Sequence, residues 1–387
     1  MSEYSVTIEK LRPTGYEFPV GNNTKDVGSQ PDSYFDSLGG TKTFSGDYVI
    51  HTFTSSGTFK DYTGTAGHDC EFFIIAGGGG GGAGFGGGGG AGGFRYGTDL
   101  PVSVNDEYAV VIGSGGQGSL TPQNPNSPGN DSEISNINLA PHTQANSTGH
   151  IFADGGGQGG NGGGGGGRRH GMPGGCGGGG GGAWDAQGGT EPNSASLENG
   201  SFSPPAAPQG ITNIYAPASA QSGHFEGAAG MATPAPEYVF SGGPGAFRGY
   251  GYPGGFGKGR PNTIPGLQPY SPYGGGGGGG IGSIGKQVGF GPPTQGGYGG
   301  DGLEYSISGS PVFYGGGGAG HGYSSGGSAP MTSGGGDHSK GRNGLDNRGG
   351  GGGGNAGANP GNEGGNGGSG VVIIRYAKTG LTGYEVN

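Results

Sequence analysis

The sequence has few of the large apolar residues from which enzyme cores are built. Leu, Ile, Val and Phe number 57 of 387 residues, about 15%, and disorder is usually suspected below roughly 20%. That suspicion also requires a high net charge, whereas the formal net charge here is only −10. Because the apolar residues are clustered in short segments, the composition favours a few dense strands over a disordered chain.

Basic residues, cysteines and long apolar runs are also scarce. Lys and Arg number 17 against 27 Asp and Glu, which argues against nucleic-acid binding. No run of about 18 apolar residues could span a membrane, and residues 1–20 lack the apolar core of a signal peptide. We therefore expect synthesis in the cytoplasm of the producing cell. The two cysteines, Cys70 and Cys176, cannot form a metal site alone, and both are expected to be reduced.

Glycine is abundant, with 112 residues, and much of it stands in unbroken runs. A helix or strand interior loses about 0.5–1 kcal/mol when Gly replaces Ala. The runs are therefore either flexible linkers or parts of a fold that requires the absence of a side chain. They cover residues 77–82, 86–90, 162–167, 177–182, 274–280 and 349–354.

Short apolar segments predict strands at both ends of a glycine-rich region. The last strong segment, 371–376, lies more than two hundred residues after the other strong ones, and a lone strand cannot bury its two faces. It should return to the same β-sandwich, with the residues between inserted into it. The predicted strands are 4–9, 48–53, 71–76, 108–112, 132–139, 150–153 and 371–376.

Glycine tracts can be ordered if they associate. A polyproline II chain has three residues per turn, a rise of about 3.1 Å per residue and no internal hydrogen bonds, so its N–H and C=O groups point outward. Fixing one residue costs about 1–2 kcal/mol and a hydrogen bond returns about 1 kcal/mol. A single tract should be disordered, whereas a bundle of six or more can be ordered. A flexible linker is the alternative.

These inferences predict a mainly β chain with three parts. Residues 1–39 would form an N-terminal attachment segment, and residues 40–154 with 368–387 a β-sandwich. Residues 155–367 would form an inserted bundle of polyglycine II helices with irregular loops, of which 190–273 is rich in Pro and aromatic residues. The loop aromatics are candidates for recognition, although they could instead cover the flanks of the bundle. The chosen candidates are Phe247, Tyr250, Tyr252, Phe256, Tyr270 and Tyr273.

No motif in the chain predicts catalysis, a cofactor or a metal. Residues 280–287 match a phosphate-binding loop until the last position, where Gln287 replaces the Ser or Thr that binds magnesium. Asp337, His338 and Ser339 are adjacent in sequence and so cannot adopt the geometry of a catalytic triad. We therefore expect a protein that is not an enzyme, with no catalytic, cofactor or metal residues.

Several segments resemble a glycine-rich domain found in many phage virion proteins. The matching residues are 46–59, 72–76 running into 77–82, 89–94, and the closing segment 368–376. The resemblance covers about residues 40–377, and similar regions occur in certain receptor tyrosine kinase ectodomains. It implies a jelly-roll-like β-sandwich that carries polyglycine helices.

The resemblance also implies a role on the surface of a phage particle. We expect a structural virion protein, a homo-oligomer with a trimer as the expected state, which contacts other virion proteins through its N-terminal segment. A tail fibre or tail-tip protein is the first expectation, with a host-surface glycan or protein as candidate partner and no nucleic acid or membrane insertion. A capsid decoration or head fibre protein is the alternative, and a cellular extracellular structural protein is a third class.

Overall fold

The chain is mainly β. The computed structural model contains strands and no helix among the residues that it describes, which confirms the predicted class. The described residues are 37–61, 68–102, 106–137, 150–162, 170–182, 251–257, 274–288, 295–322, 326, 334–336, 343–355 and 363–377. The predicted strand at residues 4–9 lies outside them.

The first sheet is antiparallel and has the last of the described strands at its centre. This strand, β12 (Val371–Ala377), lies between β3 (Tyr48–Phe53) and β5 (His68–Ile75), with Val372 opposite both Phe53 and Ile74. The closing segment therefore returns to the sheet built by early residues, as the sequence predicted. The strands in spatial order are β2 (Thr41–Ser45), β3 (Tyr48–Phe53), β12 (Val371–Ala377), β5 (His68–Ile75) and β6 (Phe94–Val102).

The second sheet is also antiparallel and packs its apolar face against the first. A continuous cluster of buried residues fills the space between the two sheets, with Phe53 and Phe72 from the first sheet and Phe59, Tyr108 and Ile134 from the second. Two sheets in face-to-face contact form a sandwich-like core. The strands in spatial order are β1 (Ser37–Leu38), β4 (Gly57–Asp61), β7 (Glu107–Val111), β8 (Ser132–Asn136) and β9 (His150–Ala153).

A hairpin covers the other face of the first sheet. It consists of β10 (Leu303–Tyr305) and β11 (Val312–Tyr314). The ring centroid of Phe73 lies 4.9 Å from that of Tyr305 and 4.8 Å from that of Tyr314. Burial on both faces explains the unbroken apolar run of β12, because successive side chains point to opposite faces of a sheet. Val372 and Ile374 enter the core between the sheets, and Val371 and Ile373 pack under the hairpin.

Several strands were not predicted from the sequence. β6 contains Arg95, Gly97, Asp99 and Pro101, residues that do not indicate a strand, and it pairs with β5 through a register shift between Cys70 and Phe72. β10 and β11 have three residues each, too short for an alternating pattern to be recognised. β1, β2 and β4 were missed as well. The predicted boundaries of the three parts stay predictions.

Phe73 should contribute strongly to stability because it is fully buried among rings from both layers. We expect Phe73→Ala to lower the free energy of unfolding by about 3–5 kcal/mol, as cavity-forming aromatic substitutions do. Chemical denaturation would measure the change. Phe313→Ala is the matched control, because that ring is 40% exposed. An equal effect of the two substitutions would contradict the described packing.

Candidate functional site

The glycine tract at residues 77–82 donates hydrogen bonds with a period of three residues. Each of its six N–H groups bonds a main-chain carbonyl of another segment, with N···O distances of 2.8–3.0 Å. Positions three apart bond the same neighbour. The pairs are Gly77 and Gly80 with 127–130, Gly78 and Gly81 with 365–368, and Gly79 and Gly82 with 87–90.

The carbonyl groups of the same tract accept hydrogen bonds with the same period. They bond three further segments, so the tract has six hydrogen-bonded neighbours and every main-chain N–H and C=O from 77 to 82 has a partner. The described tract is therefore an ordered element bonded on all sides, not a flexible linker. The accepting pairs are Gly77 and Gly80 with 156–159, Gly78 and Gly81 with 116–119, and Gly79 and Gly82 with 352–355.

Two other tracts have the same arrangement. Residues 86–92 and residues 275–280 each bond six neighbouring segments, again with a three-residue period. The tracts are also bonded to each other, because Gly88 donates to Gly276 and Ala91 to Gly279. We refer to these three tracts and the segments that surround them as the glycine bundle.

Close approach of the main chains explains why these tracts contain glycine. A Cβ atom added at Gly80 would lie 2.0 Å from the carbonyl oxygen of Gln117, and one added at Gly89 would lie 2.0 Å from that of Gly79. Real Cβ atoms do not occur so close to main-chain atoms. The interior of the bundle therefore excludes every other residue type at these positions.

Two outer tracts of the bundle carry a side chain at every third position. In the segment 295–301, Gln295, Tyr298 and Asp301 are exposed, whereas the glycines between them are buried. The segment 363–369 repeats this order, with Glu363 and Asn366 exposed and Ser369 half-buried. This X-Gly-Gly spacing is visible in the sequence, but the outer tracts were not predicted from it.

The two ends of the bundle differ. At the end next to the sandwich, β5 continues into the tract 77–82 and the tract 86–92 leads into β6. At the opposite end, called the distal end, the turn 83–85 joins these tracts. Gly162 donates to Ala83, Gly182 donates to Phe85, and Phe85 donates to Asn355, at 2.8–2.9 Å. The described chain stops at Gly162, Gly182 and Asn355. The undescribed segments that follow them therefore start at the distal end.

The distal end presents an aromatic residue in an unfavourable conformation. Phe85 has a φ of 64°, and a non-glycine residue in the left-handed region costs roughly 1–2 kcal/mol. Its ring lies 6.3 Å from that of His321 in an edge-on arrangement, and both residues are half-buried. A glycine at position 85 would avoid the cost of this conformation but would lose the ring contact with His321.

Of the six predicted recognition residues, the structure describes two. Tyr252 and Phe256 are half-buried, and their main chain belongs to the bundle, since Gly177 donates to Tyr252 and Val288 to Phe256. These two aromatics therefore lie along the bundle. The other candidates, Phe247, Tyr250, Tyr270 and Tyr273, lie outside the described residues.

The segment 280–287 does not form a phosphate cradle. Gly280 donates to Ser283 at 3.0 Å and Lys286 donates to Tyr298 at 2.8 Å, so these N–H groups are used within the bundle. Among the described residues no group of three His, Cys, Asp or Glu side chains could hold a metal ion. The same residues also contain no helix that is long and apolar enough to cross a membrane.

Comparison with known proteins identifies a family from the glycine-rich sequence. The sequence model of a family described as "Glycine-rich domain" matches residues 54–305, more than half of the chain. The chain belongs to this glycine-rich domain family. The searches of curated proteins and of solved structures found no match. The matched residues include β4 to β10 and the central tracts, and the match carries no statement about activity.

Gly179 tests the close packing of the tracts. A Cβ atom there would lie 2.2 Å from the carbonyl oxygen of Gly276, so we expect Gly179→Ala to cost about 3 kcal/mol of unfolding free energy, and Gly179→Val more, as in strongly overpacked interiors. Thermal or chemical denaturation measures the effect. In the control, Gly57→Ala, the nearest side-chain atoms lie 3.7 Å from the new Cβ. Unchanged melting of the Gly179 variants would contradict the packing.

Cys176 should be chemically inert in the folded protein. Both cysteines are free thiols and buried, and burial raises the pKa of the Cys176 thiol to about 12. Only the thiolate reacts as a nucleophile. We therefore expect iodoacetamide at pH 8 to leave Cys176 unmodified in native protein and to modify it fully in denaturant, as followed by peptide mass spectrometry. Rapid alkylation of the native protein would show that this part of the bundle opens.

Proposed function

We propose that this protein is a non-enzymatic structural component exposed on the surface of a phage particle. A tail fibre or tail-tip protein that takes part in host recognition is the favoured assignment. The observation that carries the proposal is the three-residue hydrogen-bond period of the tracts 77–82, 86–92 and 275–280. It indicates a rigid scaffold built from main-chain contacts, with side chains at its perimeter.

The finer part of the fold is also proposed. A period of three residues is that of the polyproline II helix, so the tracts are assigned as polyglycine II helices. At a rise of about 3.1 Å per residue, a six-residue tract is about 19 Å long. The return of β12 to a place between β3 and β5 is a long connection of the kind found in Greek-key and jelly-roll sheets, which favours a jelly-roll-like sandwich.

Recognition is assigned to the distal end. The sandwich lies at one end of the glycine bundle, and the segments 163–169, 258–273 and 356–362 follow residues at the other end. Binding residues commonly lie on loops held by a rigid scaffold. The aromatic side chains of residues 190–273 would contact a host-surface glycan or protein, and residues 1–39 would attach the chain to other virion proteins. A homo-oligomer, with three copies, would complete the particle component.

Two alternatives predict other locations. A capsid decoration or head fibre protein would use the same scaffold for stability or weak adhesion. A cellular extracellular structural protein would not be found in particles. Electron microscopy of virions with gold-tagged antibody against this chain separates them. Label at the tail supports the favoured assignment, label at the head supports the decoration protein, and no label on purified particles overturns the virion assignment.

The recognition role predicts a selective effect of the loop aromatics. A particle that carries Phe247→Ala, Tyr250→Ala and Tyr270→Ala should adsorb to host cells at least tenfold more slowly, because aromatic hot spots each contribute more than about 1 kcal/mol to binding. The control variant, Phe44→Ala with Phe313→Ala, removes two exposed rings of the sandwich region. If particles with the three alanine substitutions adsorbed as fast as wild-type particles, these aromatics would not belong to the recognition site.

A further inference from the structure

In the outer tract 295–301, the glycines face the bundle and the residues with side chains face solvent. Toward the bundle, Gly297 donates to Gly275 at 2.9 Å and Gly300 to Gly278 at 2.8 Å. A Cβ atom would lie 1.9 Å from a main-chain oxygen at Gly297 and 2.2 Å at Gly300. Toward solvent, Tyr298 is 42% exposed, and Gln295 and Asp301 are exposed as well.

The interior tracts, which lack such side chains, have more hydrogen-bonded neighbours. Where glycine occupies every position, as in 77–82 and 275–280, the tract is surrounded by six bonded neighbours. A tract with a side chain at every third position has glycine only on the sides that face the bundle. Tracts in which most positions lack a Cβ atom thus have a full set of neighbours, although Ala91 in 86–92 is accommodated with its Cβ atom buried.

We propose that the perimeter side chains terminate the bundle and block lateral docking of a glycine tract from a second copy of this chain. Proteins protect the exposed edges of β-sheets in a comparable way, with charged or bulky residues that prevent edge-to-edge pairing. The guarded surface consists of the outward positions of 295–301 and of the adjacent tract 283–288, where Ile284 is 53% exposed and Lys286 and Gln287 are exposed as well.

A single carbon atom is sufficient for this exclusion at positions where two main chains approach closely. At the tract-facing glycines of these two outer segments, such as Gly285 and Gly299, an added Cβ would come 2.1 Å from a carbonyl oxygen of the neighbouring tract. Serine should therefore block docking as well as tyrosine or glutamine does. Loss of charge or of apolar surface should not by itself cause association. This consequence separates the proposal from a general effect on solubility.

The experiment compares two triple variants of the full chain. The first carries Gln295→Gly, Tyr298→Gly and Asp301→Gly, and the second carries serine at the same three positions. Sedimentation velocity and light scattering are recorded over a range of protein concentrations. We expect the glycine variant to associate with increasing concentration to at least twice the wild-type mass, and the serine variant to keep the wild-type mass.

Two results would overturn the proposal. One is a glycine variant that melts like the wild type and keeps its mass, and the other is a serine variant that associates as strongly as the glycine variant. If the triple glycine variant melts early, Ile284→Gly with Gln287→Gly is measured against its serine pair. In that pair too, equal masses for the glycine and serine forms reject the perimeter role. The inference does not depend on the location of the protein.

Discussion

The structure depends on main-chain hydrogen bonds between segments that have no side chains between them. One such bond contributes only about 1 kcal/mol, and fixing a glycine costs more than that. The cost is offset only where both the N–H and the C=O of nearly every residue bond different neighbours, as in 77–82. Order in the bundle is therefore collective, and the loss of one close contact affects six segments rather than two.

The sandwich-like core supplies the starting points for this arrangement. β5 and β6 lead directly into and out of the two central tracts 77–82 and 86–92, so the strand pairing of the sheet fixes the register of the glycines beside it. The first sheet is itself buried on both faces, by the second sheet and by the hairpin of β10 and β11. Apolar side chains thus stabilise the sandwich-like core, and main-chain hydrogen bonds stabilise the glycine bundle that continues from it.

The sequence predicted several apolar strands and that associated glycine tracts can be ordered. It did not predict which segments each tract contacts. β3, β7 and β12 were recognised because short, dense apolar runs indicate strands. β6 was missed because its register with β5, not its composition, makes it a strand. Which tract is central could not be predicted, since six consecutive glycines look alike. The outer tracts could have been found from the three-residue spacing of Gln295, Tyr298 and Asp301.

The central place of β12 has a consequence for folding during synthesis. β3 and β5 bond to opposite edges of β12, so the first sheet has a gap until residues 371–377 have left the ribosome. Contacts between segments so distant in sequence form slowly. Until β12 is in place, the unpaired edges of β3 and β5 promote aggregation. The sheet and the tracts that depend on it should therefore assemble only after β12 has been synthesised, and chains truncated before β12 should be recovered as insoluble or degraded material.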